Sequence, residues 1–224
     1  MKKTLFTTAL ILGLFTSATY AQINVKDSLQ TILNDQTVDS TARWNYAYTI
    51  ISQHCSPEEA EELAMTVVFP FVQRTWAEQS RQLGYLSWLN QLISFKHRDR
   101  GGDDKDEKER YFAEKALETA LESGLEVVIA SCYHGCAFME LRRGDVKRAH
   151  ENLYQAIIYY DKRGLYTNCS EMLYVIVSNF FEIKDTDGME RVLQQMKEYL
   201  EKDESKQSLY QYNVIKHRDR KSVV

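Results

Sequence analysis

The chain has little proline and glycine, with two prolines and nine glycines among 224 residues. Both residue types interrupt regular structure and concentrate in turns. A fold of many short strands needs many turns, so these low counts argue against it and favour long helices. The composition therefore predicts an all-α protein.

The sequence also lacks a long apolar run. The most apolar stretch, residues 5–18, counts 14 residues, whereas a membrane-spanning helix needs about 20. It follows Lys2 and Lys3 and precedes the small residues Thr19 and Ala21, which is the order of a secretory signal peptide. We therefore predict a signal peptide over residues 1–21, a periplasmic or secreted protein, and no membrane span in the mature chain.

Basic side chains are also fewer than acidic ones, 28 against 32. Loss of residues 1–21 would leave 26 basic and 32 acidic side chains, a formal charge of −6. Because nucleic-acid affinity rests on lysine and arginine patches that displace counterions, we predict no nucleic-acid partner. The sequence has no His-Glu-x-x-His motif and no nucleophile elbow. We therefore predict a protein that is not an enzyme, with no catalytic residue, metal ligand or cofactor.

A period of forty positions runs through the chain. Gly84, Gly124 and Gly164 are separated by two such steps, and each precedes an apolar run. The pentapeptide Lys-His-Arg-Asp-Arg occurs at 96–100 and again three periods later, at 216–220. Two rows of apolar or semi-apolar residues keep the same step: Leu89, Ile129, Cys169 and Leu209, and Leu92, Cys132, Met172 and Tyr212. A fixed period of this length indicates a helical-repeat architecture.

Apolar spacing and turn residues divide residues 40–224 into helices, after a lead-in at 22–39. Ser56, Pro57 and Glu59 are typical of a helix start, and Pro70 is expected to kink or end that helix. A final helix near 206–218 has no mate. The four predicted pairs are 40–53 with 57–72, 75–96 with 106–122, 125–142 with 146–163, and 165–183 with 187–201.

The second helices of the last three pairs carry triplets of small or apolar residues spaced four and then three apart. This spacing places each triplet on one helical face. The first triplet stands four residues late, which predicts a long linker from Asp99 to Glu109 with an exposed loop at 101–104. The triplets are Ala113/Leu117/Ala120, Ala149/Leu153/Ala156 and Met189/Leu193/Met196.

One unit resembles the tetratricopeptide repeat. It reads Tyr133-x3-Ala137-x6-Gly144-Asp145-x3-Ala149-x3-Leu153-x2-Ala156. Small residues stand where the two helices of that family meet, and Gly-Asp stands at its turn. Glu140 replaces the family's usual aromatic residue, and the unit is longer than the family's roughly 34 residues. The longer unit is similar to the arrays of bacterial regulators and sensor proteins.

The resemblance implies an all-α solenoid of about four antiparallel helix pairs, in which the first helices line a concave groove. It also implies a scaffold that binds a protein or peptide, and a more specific version makes the chain the extracytoplasmic sensor part of a signalling regulator, truncated at its C-terminus. By analogy with the family, the residues that face the groove are Ser131, His134, Phe138, Glu171, Tyr174 and Ser178.

Two other classes of function stay open. In a structural homo-oligomer, the unpaired last helix would pack against a second copy. In a metal-dependent hydrolase, Cys132, His134 and Cys136 would be the first candidates, but a histidine two positions from each cysteine points to a different helical face. The cysteines also fit core packing, or a disulfide from Cys169 to Cys132 or Cys136. The oxidation state of these residues and of Cys55 is left open.

Overall fold

The computed structural model describes residues 24–100, 105–203 and 212–213, and all regular structure within them is helical. Each helix packs mainly against its neighbours in sequence, so the fold is an all-α, solenoid-like stack. A π-helical segment at Ala64–Val68 joins α3 to α4. The helices are α1 (Val25–Asn34), α2 (Ser40–His54), α3 (Pro57–Leu63), α4 (Phe69–Thr75), α5 (Gln79–Arg100), α6 (Lys105–Ser123), α7 (Glu126–Arg142), α8 (Val146–Lys162), α9 (Tyr166–Glu182) and α10 (Thr186–Lys202).

The last four helices are evenly spaced. They begin at Glu126, Val146, Tyr166 and Thr186, a constant step of half the sequence period, and all four have the same length. The two predicted pairs that cover α7 to α10 are confirmed to within one residue at every boundary. The predicted helix near 206–218 lies outside the described residues, apart from 212 and 213.

A left-handed residue closes each of the three turns between these helices. Gly144 has φ of 79°, Gly164 of 67° and Lys184 of 60°. In each turn the N–H of the next residue donates to a carbonyl five residues back, as from Asp145 to Glu140 at 3.0 Å. This Schellman arrangement satisfies carbonyls that the end of a helix leaves without partners. It therefore ends the helix and reverses the chain in three residues.

An aspartate starts the second helix of each of the last two pairs. The side chain of Asp145 accepts a hydrogen bond from the N–H of Arg148 at 3.0 Å, and that of Asp185 accepts one from Gly188 at 2.9 Å. Such N-caps satisfy N–H groups that the first turn leaves unpaired. Leu165, which joins one pair to the next, makes no side-chain cap, so turns within pairs differ from the turn between pairs.

Small residues let the repeated helices approach closely. In α8 the buried face contains Ala149, Leu153 and Ala156, as predicted. In α6 the buried residues include Ala113, Ala116 and Ala120, and Leu117 is half-buried and packs against the same core. The predicted triplet therefore faces the core, but its four-residue delay is wrong: α6 also buries Glu109, Ala113 and Ala116, one period before the α8 triplet.

The predicted linker from Asp99 to Glu109 is also wrong. Helix α5 continues to Arg100 and α6 begins at Lys105, which leaves only residues 101–104 between them, outside the described residues. Glu109 is 4% exposed and pairs with Arg142. A run of charged residues therefore resembles a loop in sequence. In the structure, the carboxylate of Glu109 is buried and pairs with Arg142.

The N-terminal part packs around aromatic rings instead of a regular stack. The Tyr85 ring of α5 lies 4.3 Å from the ring of Trp76, 4.5 Å from that of Trp44 and 5.6 Å from that of Trp88, between centroids. Aromatic pairs at these distances add stability beyond the area that they bury. Tyr85 therefore links α2 and the end of α4 to the first long helix of the stack.

Two features of this region were not predicted. Helix α1 lies in the stretch that we described only as a lead-in, and it buries Leu29 and Leu33. Pro70 does not end its helix, which continues to Thr75 after a π-helical segment. Proline lacks an N–H and crowds the preceding turn, and a wider turn just before it accommodates both effects.

The capping box of Ser56 and Glu59 is confirmed, at 3.2 and 2.8 Å.

Replacement of Lys184 by glycine should stabilise the protein. A non-glycine residue in the left-handed region costs about 1–2 kcal/mol, and glycine's greater freedom in the unfolded chain offsets about 0.5–1 kcal/mol of the gain. We expect Lys184→Gly to raise the free energy of unfolding in urea by about 0.5–1 kcal/mol. The mirror variant Gly164→Lys should lower it. A loss of stability in Lys184→Gly would contradict the role assigned to this turn.

Candidate functional site

The first helices of the last two pairs, α7 and α9, carry the predicted binding residues. Helices α5 and α7 touch at one of them, because the Gln91 side-chain amide donates to the Ser131 carbonyl oxygen at 2.9 Å and the Ser131 hydroxyl donates to Gln91 Oε1 at 3.4 Å. These residues are 40 positions apart. The contact therefore shows that the sequence period corresponds to neighbouring positions on successive first helices.

Gly135 allows this close approach. A Cβ atom on Gly135 would lie 2.7 Å from Gln91 Nε2 and 3.8 Å from Phe95 Cζ. The glycine is inside a helix, where it costs about 0.5–1 kcal/mol relative to alanine. Its position against Gln91 gives a packing reason for that cost.

His134 and Phe138 form the most open aromatic part of the site. They are one helical turn apart on α7, their ring centroids are 4.9 Å apart at 54°, and Phe138 is 38% exposed. Burial lowers the pKa of His134 below its usual 6.5, so the imidazole is neutral at pH 7. The pair therefore offers an uncharged aromatic surface.

The three predicted residues of α9 are all partly buried, and one of them is hydrogen-bonded within its own helix. The Ser178 hydroxyl donates to the Tyr174 carbonyl at 2.9 Å, within its own helix. Glu171 and Tyr174 are half-buried. Burial, and then the nearby carboxylate of Glu171, raise the pKa of Tyr160 to about 12. The structure therefore brings Ser131 to Gln91 and His134 to Phe138, and it places Glu171 near Tyr160 of α8.

Helix α5 contributes to the same face with residues that the sequence prediction omitted. Gln91, Phe95 and Arg98 stand one period before Ser131, Gly135 and Phe138. The Arg98 guanidinium lies 5.0 Å from the centroid of the Phe95 ring and also pairs with a neighbouring aspartate at 2.6 Å. Carrying Ser131 and Phe138 back by one period would have found Gln91 and Arg98, but not Phe95, whose counterpart Gly135 was not predicted.

The four cysteines are buried free thiols. Cys132 Sγ lies 3.1 Å from the Ser87 hydroxyl, and Cys136 donates to the Ala113 carbonyl at 3.9 Å. Burial raises the pKa of Cys132 to about 11 and that of Cys136 to about 12. These contacts identify the two thiols as packing groups between α5, α6 and α7.

Neither a metal site nor a membrane-spanning helix occurs in the described part of the chain. In residues 24–100, 105–203 and 212–213, no group of three or more His, Cys, Asp or Glu side chains is arranged to hold a metal ion. No helix in the same ranges is both long enough and apolar enough to cross a membrane.

No protein-family model matches the chain, and comparisons with curated proteins and with solved structures gave no significant match. Function must therefore be inferred from the contacts described above.

Folded protein should protect all four thiols from alkylation. A pKa of about 11 in place of 9 lowers the thiolate fraction at pH 8 about a hundredfold, and burial adds a steric barrier. We expect iodoacetamide to modify native protein at least about a hundredfold more slowly than urea-unfolded protein. Modification can be counted by intact mass. A thiol that reacts at equal rates in both states would contradict its buried position.

The close approach at Gly135 can be measured with a double-mutant cycle. In a Gln91→Ala background, Gly135→Ala should stabilise the protein by about 0.5–1 kcal/mol, because the helix gains a better helix former. In the wild-type background the new methyl group displaces Gln91, and the gain should be smaller. Urea unfolding gives both values. Equal gains in the two backgrounds would show that Gln91 and Gly135 are not coupled.

Proposed function

We propose that this chain is an exported scaffold that binds a protein or peptide segment along the face formed by α5, α7 and α9, without cofactor or catalysis. The observation that supports the proposal most is the exposed ring of Phe138 beside the neutral ring of His134. A few buried anchor residues, often aromatic, dominate the energy of protein interfaces. The pair is flanked by the Gln91–Ser131 contact, which fixes α5 beside α7.

The architecture supports a binding role in the same way. Repeated helix pairs contact only their neighbours, so a row of equivalent positions forms an extended surface. Arg98, Phe138 and Ser178 are one such row, each one sequence period after the last. The proposal extends the sequence resemblance, in which the first helices of a tetratricopeptide-like array line the binding groove. A role as the sensor part of a signalling regulator stays a prediction.

Export is the second part of the proposal. It rests on the charged, apolar and small segments of residues 1–21, which lie outside the described residues. Expression of the full chain in a Gram-negative host should give an envelope-located protein that begins at Gln22. N-terminal mass spectrometry of the fractionated cells tests this. Protein that keeps Met1 and stays in the cytoplasm would contradict export.

The binding face can be tested with peptides selected on the protein from a random display library. We expect Phe138→Ala to weaken the selected peptides at least about tenfold, as truncation of an interface aromatic does. Fluorescence anisotropy gives the dissociation constants. Tyr154→Ala is a matched control, because Tyr154 is 36% exposed on α8, a second helix, and it should leave affinity unchanged. Equal affinity for wild type and Phe138→Ala would reject the proposed face.

A further inference from the structure

A small depression lies far from this face in sequence, between α1 and the segment that contains Pro70. Its volume is about 180 Å³. Leu33, Val67 and Pro70 provide its apolar part, and Leu33 and Val67 belong to the N-terminal core. Pockets for whole small molecules usually have about 300–1,000 Å³. The volume therefore suits one anchoring side chain with a neighbouring polar group.

The π-helical segment forms one wall of the depression. The N–H of Phe69 bonds to the carbonyl of Ala64, five residues earlier, so this turn is wider than an α-helical turn. π-helical turns recur at functional sites, because they change which side chains face outward. Thr66 and Val67, both within the segment, line the depression. The widened turn therefore provides two of the residues that line the depression.

Polar groups surround the apolar part. Gln30 and Asn34 are one turn apart on α1 and both are exposed, so their amides lie on the same side of the helix. A side-chain amide can both donate to and accept from a peptide backbone. The Thr66 hydroxyl donates to the Glu62 carbonyl at 2.8 Å, and its oxygen can still accept a hydrogen bond.

Arg74 is the one charged residue among those that line the depression. Its side chain is exposed, and among the described residues no carboxylate lies within 4.0 Å of its guanidinium. A guanidinium is suited to a carboxylate, because its N–H groups match both oxygens. The charge of the site therefore complements an anionic group.

We propose that this depression binds an exposed Leu-Glu type element of a partner protein. The apolar side chain would contact Leu33, Val67 and Pro70, and the adjacent carboxylate would pair with Arg74. Gln30 and Asn34 would bond to the backbone between them. This site is separate from the face of α5, α7 and α9 and does not depend on the function proposed for it.

The test uses the isotopically labelled protein and three probes, followed by two-dimensional NMR. We expect acetyl-Leu-Glu-amide to shift the signals of Leu33, Val67 and the Arg74 Nε–H group with a dissociation constant in the millimolar range. Acetyl-Leu-Gln-amide, which lacks the charge, should bind about tenfold more weakly. Isovalerate, a free carboxylate with the same apolar branch, should also bind more weakly, because it lacks the backbone.

Two variants complete the design. Arg74→Gln should weaken acetyl-Leu-Glu-amide about tenfold and leave acetyl-Leu-Gln-amide unchanged. Arg110→Gln is the matched control, because Arg110 is exposed on α6 and lies outside the depression; it should change neither. Equal binding of the two dipeptides, no effect of Arg74→Gln, or no shifts at the depression would overturn the proposal. If isovalerate bound as tightly as the dipeptide, the site would fit a small carboxylate and not a partner segment, and the proposed occupant would be wrong.

Discussion

The stack depends on a turn that ends one helix and starts the next within three residues. A backbone in the left-handed conformation makes this possible at Gly144, Gly164 and Lys184. Because each turn has the same length, and each helix between two turns also has the same length, equivalent residues meet on successive helices. The contact of Gln91 with Ser131 shows that the same period extends to α5 and α7, upstream of these three turns. The spacing of Phe138 and Ser178 in the proposed binding row therefore follows from turn geometry.

The regular half of the fold could be predicted from sequence because its determinants are local. Gly-Asp at 144–145 specifies both a helix end and a cap, and the apolar period fixes the buried faces. The irregular half depends on contacts between distant residues. Trp44, Trp76 and Tyr85 meet only after folding, and α1 is short, so its stability depends on packing.

The candidate site was predictable in part for the same reason. His134 and Phe138 were predicted together and do lie together, because residues four apart on a helix are neighbours. The contribution of α5 was missed because the period was not applied to Ser131 and Phe138, and the role of Gly135 appears only against Gln91. Nor could the sequence show that Ser178 bonds within its own helix. The depression beside α1 is lined in part by the π-helical turn, which no residue pattern in this stretch specifies.

Even spacing of the helices has a consequence for the evolution of this architecture. Because the last four helices start at a constant interval, an insertion or loss of one full period adds or removes a whole pair and preserves the contacts on either side. Gene duplication or unequal recombination at such a boundary would therefore leave the register of the remaining helices unchanged. The length of the array can thus change by whole helix pairs, whereas a single-residue insertion within a helix would disturb its register.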